Sequence, residues 1–160
     1  MLSADLADRL NALLEKALGF YREFLKLEQE KYGVVAAGRL EKLDACMKRE
    51  QAFVLKARGL DRERQKLMDE TPAPRATLRE VLPAFPPEKR ERAHSLYGSL
   101  SAAVGELQKA NGRCQKLTQI RLNQISRIRS KIENNPELRR TYGESAKAAP
   151  PLEGFFSEKA

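Results

Sequence analysis

The sequence predicts an all-α fold, an antiparallel helical bundle or coiled coil of two helices of about thirty residues and one longer C-terminal helix. Ala, Leu, Glu, Lys and Arg dominate the 160 residues, aromatic residues make up 6% and Trp is absent, a composition typical of long helices. Apolar residues recur at alternating spacings of three and four, the period of helices that pack on one another. Gly-rich and Pro-rich segments separate the three periodic stretches. We expect one domain over residues 1–143 and a flexible tail over residues 144–160.

The first helix is expected over residues 3–32, followed by a tight reversal. Further apolar residues widen its seam to a broad stripe, so this helix is expected to contact two partners. Gly33 and Gly38 bracket a short apolar run and predict the reversal. The seam consists of Leu6, Leu10, Leu13, Ala17, Phe20, Phe24 and Leu27, widened by Leu14, Leu18, Tyr21 and Leu25.

The second helix is expected over residues 39–70, and a Pro-rich linker over residues 71–86. Glu50 and Arg64 interrupt an otherwise apolar seam. Within the linker, Thr77 and Glu80 have the spacing of a capping box, which predicts a short helical turn that ends at Leu82. The seam of the second helix consists of Leu43, Cys46, Phe53, Ala57, Leu60 and Leu67.

The third helix is expected over residues 87–134, with a length of about 70 Å against about 45 Å for each of the others. If it runs antiparallel to the second helix, its far end projects beyond the reversal at residues 33–38. Soluble proteins rarely leave an apolar stripe uncovered, so this end is predicted to bind a partner. The predicted binding residues are Leu117, Ile120, Arg121, Ile125, Arg127, Ile128, Arg129 and Ile132. Between Glu106 and Glu133 the chain carries seven basic residues and no acidic one: Lys109, Arg113, Lys116, Arg121, Arg127, Arg129 and Lys131.

Several function classes lack their sequence signals. No apolar run approaches the length of a membrane span, and the first residues do not have the pattern of a secretory signal. Cys46 and Cys114 match no metal or redox spacing and are expected to be reduced core residues. His94 is the only histidine and has no positioned second group for acid–base or nucleophilic chemistry. We therefore expect a non-enzymatic protein without a metal or a cofactor.

The basic stretch allows other interpretations besides protein binding. It could contact nucleic-acid phosphates, but aromatic residues do not alternate with the basic ones and no binding motif is present. It could lie on an anionic membrane, but the apolar side lacks Trp and Phe anchors. It could also be a solvated helix face. Protein binding is favoured over these three.

Two further features of the sequence each allow two interpretations. Gly98, Gly105 and Gly112 recur every seven residues and indicate either close approach or bending toward a partner, or neutral drift at exposed positions. Phe155 and Phe156 either fold back over the isoleucine stripe as an internal substitute for a partner or belong to a disordered tail. Asn111, on the seam of the third helix, is predicted to fix the register of the packing.

The order of four weak motifs along residues 6–143 resembles the FlgN-type flagellar export chaperones. The first motif is residues 37–43 followed by a charged second helix that ends in residues 60–64. The others are residues 77–83 before the long helix, residues 107–111 within it, and residues 141–143 after it. The resemblance implies a cytosolic chaperone of the flagellar type III export system, with a small antiparallel bundle and an extended C-terminal helix that takes the substrate. It further implies that the partners are terminal helical segments of hook–filament junction proteins and the export gate. Tyr142 is a candidate gate contact by its position.

The predicted mode of binding is an amphipathic helix of the partner lying against the third helix. The flanking basic residues would then select a partner with acidic edges. The alternative is a structural coiled-coil subunit that forms a homodimer through the long C-terminal helix. A weak homodimer that the partner displaces is compatible with the first hypothesis.

Overall fold

The computed structural model describes residues 1–137, and three long helices make up most of this part of the chain. Helix α1 spans Ala4–Ala36, α2 spans Leu40–Asp69 and α4 spans Pro87–Glu133. Between α2 and α4 lie the short helix α3, Leu78–Val81, and a 3₁₀ turn, Leu82–Ala84. The all-α prediction is confirmed. The tail expected over residues 144–160, together with Tyr142, lies outside the described residues.

The reversal between α1 and α2 is tighter than the sequence suggested. Helix α1 continues through Gly33 to Ala36, four residues beyond its expected end. Gly38 has a φ of +67°, the left-handed conformation that favours glycine. The N–H of Gly38 donates to the carbonyl of Val35, and that of Arg39 donates to the carbonyl of Val34, both at 3.1 Å. This pair of bonds is a Schellman motif, so only Gly38 is needed for the turn.

The connection before α4 begins as the sequence predicted. The Oγ1 of Thr77 accepts from the N–H of Glu80, and the Glu80 carboxylate accepts from the N–H of Thr77 at 2.7 Å. These hydrogen bonds lower the pKa of the Glu80 carboxyl, the backbone bond most of all. The capping box therefore fixes the start of α3.

Helix α1 lies against both other long helices. It runs antiparallel to α2, because the ion pairs Arg9–Glu70, Lys16–Glu63 and Lys31–Glu50 join increasing numbers on α1 to decreasing numbers on α2. It runs parallel to α4, because Glu15 contacts Arg92 and the Ala36 carbonyl accepts from Arg121. The expected contact of α1 with two partners is confirmed, and α4 is antiparallel to α2.

Three apolar clusters fill the bundle. The first closes the base, where Val81, Leu82 and Phe85 of the connecting segment pack with α1, Met68 and Ala93. The backbone N–H of Leu2 donates to the carbonyl of Ala84 at 2.7 Å. The segment expected as a Pro-rich linker therefore contributes to the core. The second cluster consists of Leu13, Phe20, Phe24, Leu60 and Leu107, and the third of Val35, Leu43 and Cys114.

A buried polar layer interrupts the apolar interior. Its members are Glu28 and Lys31 of α1 and Glu50 of α2, which are 0%, 3% and 1% exposed. The Lys31 Nζ donates to the Glu50 Oε2 at 2.8 Å. Neither oxygen of Glu28 receives a hydrogen bond. Burial, and next the charge of Glu50, raise the pKa of Glu28 to about 8. We call these three residues the polar layer.

Candidate protein-binding surface

Helix α4 leaves the bundle next to the reversal between α1 and α2. Leu117 packs against the third apolar cluster. One turn further on, the Arg121 Nη2 donates to the carbonyl of Ala36, the last residue of α1, at 2.7 Å. Helix α4 continues from there to Glu133. We call residues 120–133 the α4 overhang; it is about 20 Å long. The expectation that α4 outreaches the other two helices is met.

The predicted apolar residues lie on one side of α4. At about 100° per residue, Leu117, Ile120, Ile125, Ile128 and Ile132 fall within an arc of about 140°. Ile120 is 53% exposed and Ile128 is 57% exposed, while Leu117 and Ile125 are half-buried. The two isoleucines with the greatest exposure are about 12 Å apart along the helix axis. The surface therefore offers a shallow apolar stripe of about two turns.

Ile132 is placed differently from the expectation. It was grouped with the uncovered isoleucines, but its exposed fraction is 7%. It lies eleven residues beyond Arg121, and none of the three apolar clusters formed by residues 1–137 includes it. Ile132 is therefore a covered end of the stripe, and the open part is centred on Ile128.

The surroundings of the stripe are basic. Arg127 and Arg129 fall near opposite edges of the apolar arc, given the helical period. Arg121 also donates to the Gln124 Oε1 at 3.3 Å. Between Glu106 and Glu133 the chain contains no acidic residue, so bases outnumber acids along this end of α4, where Glu133 is the last helical residue. The potential along this end of α4 is consequently positive and favours an acidic ligand.

The structure adds one apolar residue that the sequence analysis left out. Leu40, the first residue of α2, is 66% exposed. It directly follows the reversal beside which α4 leaves the bundle. Its position three residues before the seam residue Leu43 was the available signal, but an isolated exposed leucine is common on protein surfaces.

The residues considered for chemistry have surroundings that fit core or surface roles. Cys46 and Cys114 are free and buried, and burial raises the pKa of both thiols, which makes them weak nucleophiles. His94 is exposed on α4. Among residues 1–137, no group of His, Cys, Asp and Glu has the arrangement of a metal site. No helix in this part of the chain is long and apolar enough to cross a membrane.

The glycine stripe of α4 does not make a close contact within the chain. A Cβ built on Gly98, Gly105 or Gly112 would meet no atom within 4 Å. These glycines are therefore not required for packing against α1 or α2. The two interpretations that concern an external partner or neutral drift both stay open.

Comparison with known proteins identifies one family that matches this chain. Residues 1–150 match the family described as FlgN protein. No curated protein and no solved structure matches the chain. The match covers most of the 160 residues, including α1, α2 and the whole of α4 with its overhang. The chain therefore belongs to the FlgN family, a family of flagellar export chaperones.

Proposed function

We propose that this protein is a cytoplasmic chaperone that binds terminal helical segments of hook–filament junction proteins and delivers them to the flagellar export gate. The observation that carries the proposal is the exposed stripe of the α4 overhang, which lies beyond the reach of α1 and α2. Family membership supports the export role. The segment of α4 that projects from the bundle supplies a surface for a helical client.

The proposed contact is a helix laid along the α4 overhang. Two turns of exposed isoleucine match the spacing at which an amphipathic helix presents its apolar residues. Ile120 and Ile128 would be covered first, because they have the largest exposed fractions. Covering them would remove apolar area from water, at about 25 cal/mol for each Å². Arg127 and Arg129, on opposite edges, would then face acidic side chains on both sides of the client helix.

Binding by a synthetic terminal helical segment of a hook–filament junction protein tests this proposal. Ile128→Asp should weaken binding by about a hundredfold or more, because a carboxylate would be desolvated at the centre of the contact. Leu55→Asp is the matched control: Leu55 is 66% exposed and lies on α2. Isothermal titration calorimetry gives the affinities. Far-UV circular dichroism and the melting temperature check that both variants stay folded.

Equal weakening by both variants would contradict a site on the overhang. So would unfolding caused by Ile128→Asp, because that result would place Ile128 in the core. An unchanged affinity in the Ile128→Asp variant would move the client site elsewhere on the bundle.

The competing function, a structural subunit that forms a homodimer through α4, receives less support from the charges. Pairing two overhangs would bring Arg127, Arg129 and Lys131 of each copy close together, and like charges in contact oppose association. Light scattering distinguishes the two. A tight dimer that Ile128→Asp dissociates would favour the structural subunit, whereas a monomer, or a weak dimer that the client segment displaces, favours the chaperone.

Delivery to the export gate requires a second contact, for which Tyr142 is the candidate. It follows the long helix within Thr141–Gly143, one of the segments that carry the family resemblance. Tyr142→Ala should leave client affinity unchanged and reduce export of the client in cells. Loss of client binding in this variant would assign Tyr142 to the client site instead.

A further inference from the structure

We propose that the chain's own segment 152–158 docks on the α4 overhang when no client is bound. The open stripe on the overhang consists of Ile120, Ile125 and Ile128. Arg127 and Arg129 lie near its edges, and Arg121 lies within its arc. An apolar stripe left in water is unfavourable. The occupant with the matching composition lies in the same chain, beyond the described residues.

Segment 152–158 is complementary to the overhang in both apolarity and charge. Its sequence is Leu-Glu-Gly-Phe-Phe-Ser-Glu, with three large apolar residues, two carboxylates and no base. Phe155 and Phe156 supply large apolar area, and aromatic side chains bury more area than most others. Glu153 and Glu158 flank the phenylalanines as Arg127 and Arg129 flank the isoleucines.

The chain between α4 and segment 152–158 is long enough for the segment to reach the overhang. From Glu137, the last described residue, fifteen further residues lead to Leu152, and an extended chain of this length spans at most about 50 Å. The way back along α4 from Glu133 to Ile120 is about 20 Å. A tethered segment is present at an effective concentration in the millimolar range, so a weak contact suffices for occupancy.

The burial of Ile132 sets one end of the open stripe. It is 7% exposed although α1 ends next to Arg121, about 16 Å away along the α4 axis. The clusters formed by residues 1–137 do not include it. The stretch of α4 available to a docking segment is therefore limited to Ile120, Ile125 and Ile128.

A second copy of the overhang is a poorer occupant. It would bring four bases and one carboxylate, that of Glu133, against the same set of charges, whereas segment 152–158 brings two carboxylates and no base. The proposal shares its surface with the proposed client site but does not require any client. If the proposed function also holds, the client must displace the segment, and Phe155→Ser with Phe156→Ser should strengthen client binding by about threefold to tenfold.

Photo-crosslinking in the full chain tests the docking without a client. A benzophenone side chain replaces Phe156 in one protein and Lys147 in another, and cross-links are mapped by mass spectrometry. Lys147 is closer to α4 in sequence, so tethering alone predicts more links from position 147. Docking predicts about threefold more intramolecular links from position 156, all to residues 120–132.

Equal or fewer links from position 156, links to α1 or α2, or links only between molecules would overturn the proposal. Ile128→Asp should reduce the links from position 156 and leave those from position 147 unchanged, and Leu55→Asp should change neither. Links to the overhang together with a client that binds elsewhere would uphold this inference and remove the proposed function. A client that binds to the overhang, together with no links from position 156 to the overhang, would remove this inference and leave the proposed function intact.

Discussion

Lys31 and Glu50 form an ion pair across α1 and α2 in which both side chains are almost completely buried. Their Nζ and Oε2 atoms are 2.8 Å apart, and the exposed fractions of the side chains are 3% and 1%. Glu28 lies beside them with no hydrogen bond to either of its oxygens. Removing ions from water is costly, and two carboxylates against one ammonium would leave an unbalanced charge. A neutral Glu28 removes this imbalance, in keeping with its raised pKa.

The polar layer should make the stability of the fold depend on pH. Burial, and then the charge of Glu50, raise the pKa of Glu28 from 4.5 to about 8. Between these values the folded chain holds a proton that the unfolded chain has released. The free energy of unfolding should therefore fall as pH rises from about 4.5 to about 8. Burial also raises the pKa of Glu50, against the opposing effect of Lys31, and Cys114 faces the same layer from α4.

Glu28→Gln should flatten this dependence, because glutamine is neutral at every pH and has nearly the same size and shape as glutamate. Urea denaturation at several pH values between 5 and 8 measures the slope for both proteins. The variant should gain stability relative to the natural chain as pH rises. Parallel curves for the two proteins would mean that Glu28 is already ionised in the folded state at low pH.

The Lys31–Glu50 pair should be sensitive to the loss of one partner. Lys31→Met should destabilise the fold by about 3 kcal/mol, because it leaves a buried carboxylate without its cation. Lys16→Met is the matched control, since Lys16 pairs with Glu63 at 2.9 Å between the same helices but is 54% exposed. The control should cost less than about 1 kcal/mol.

Chemical denaturation gives both values. A second substitution, Glu50→Gln in the Lys31→Met background, should recover part of the loss because it removes the isolated charge. Equal losses for the buried and the exposed lysine would show that the layer is accessible to water.

Two glycine substitutions should act in opposite directions. Gly38→Ala should destabilise the protein by about 1 kcal/mol, because the left-handed φ of +67° is unfavourable for residues with a Cβ. Gly98→Ala should stabilise it by about 0.5–1 kcal/mol, because Gly98 is inside α4 with open space around its Cβ. Thermal unfolding followed by circular dichroism gives the sign of each change. Destabilisation by Gly98→Ala would indicate that α4 must bend at this point.

Charge reversal on the overhang should slow the association with a client. Arg127→Glu together with Arg129→Glu should reduce the association rate about tenfold at low salt and weaken its salt dependence. The control reverses the same number of charges away from the overhang, at Arg22 of α1 and Arg62 of α2. Stopped-flow fluorescence with a labelled client segment measures both rates. Equal slowing by the two pairs would mean that net charge, not its position, governs the encounter.

Local sequence patterns were sufficient to predict the three long helices and most of their ends, although α1 continues four residues beyond its expected end. The spacing of leucines and phenylalanines along α1, the capping box at Thr77 and the position of Pro87 all act through neighbours within a few residues. The excess length of α4 follows from counting residues, because the rise of a helix is constant. The acid-free stretch before Glu133 can also be read directly from the sequence.

The tertiary structure decided what covers each side chain, because burial depends on residues far apart in the chain. In the folded chain the Pro-rich segment forms part of the base of the bundle, because Val81, Leu82 and Phe85 are buried there. The tertiary structure also buried Glu28 of α1 beside Glu50 of α2. Because this neighbour comes from another helix, the local sequence gives no sign of the raised pKa of Glu28. Ile128 and Ile132 are one turn apart in the same pattern, but in the folded chain Ile128 is exposed and Ile132 is covered. Periodicity defines a helix face, but only packing decides which part of that face remains open to a partner.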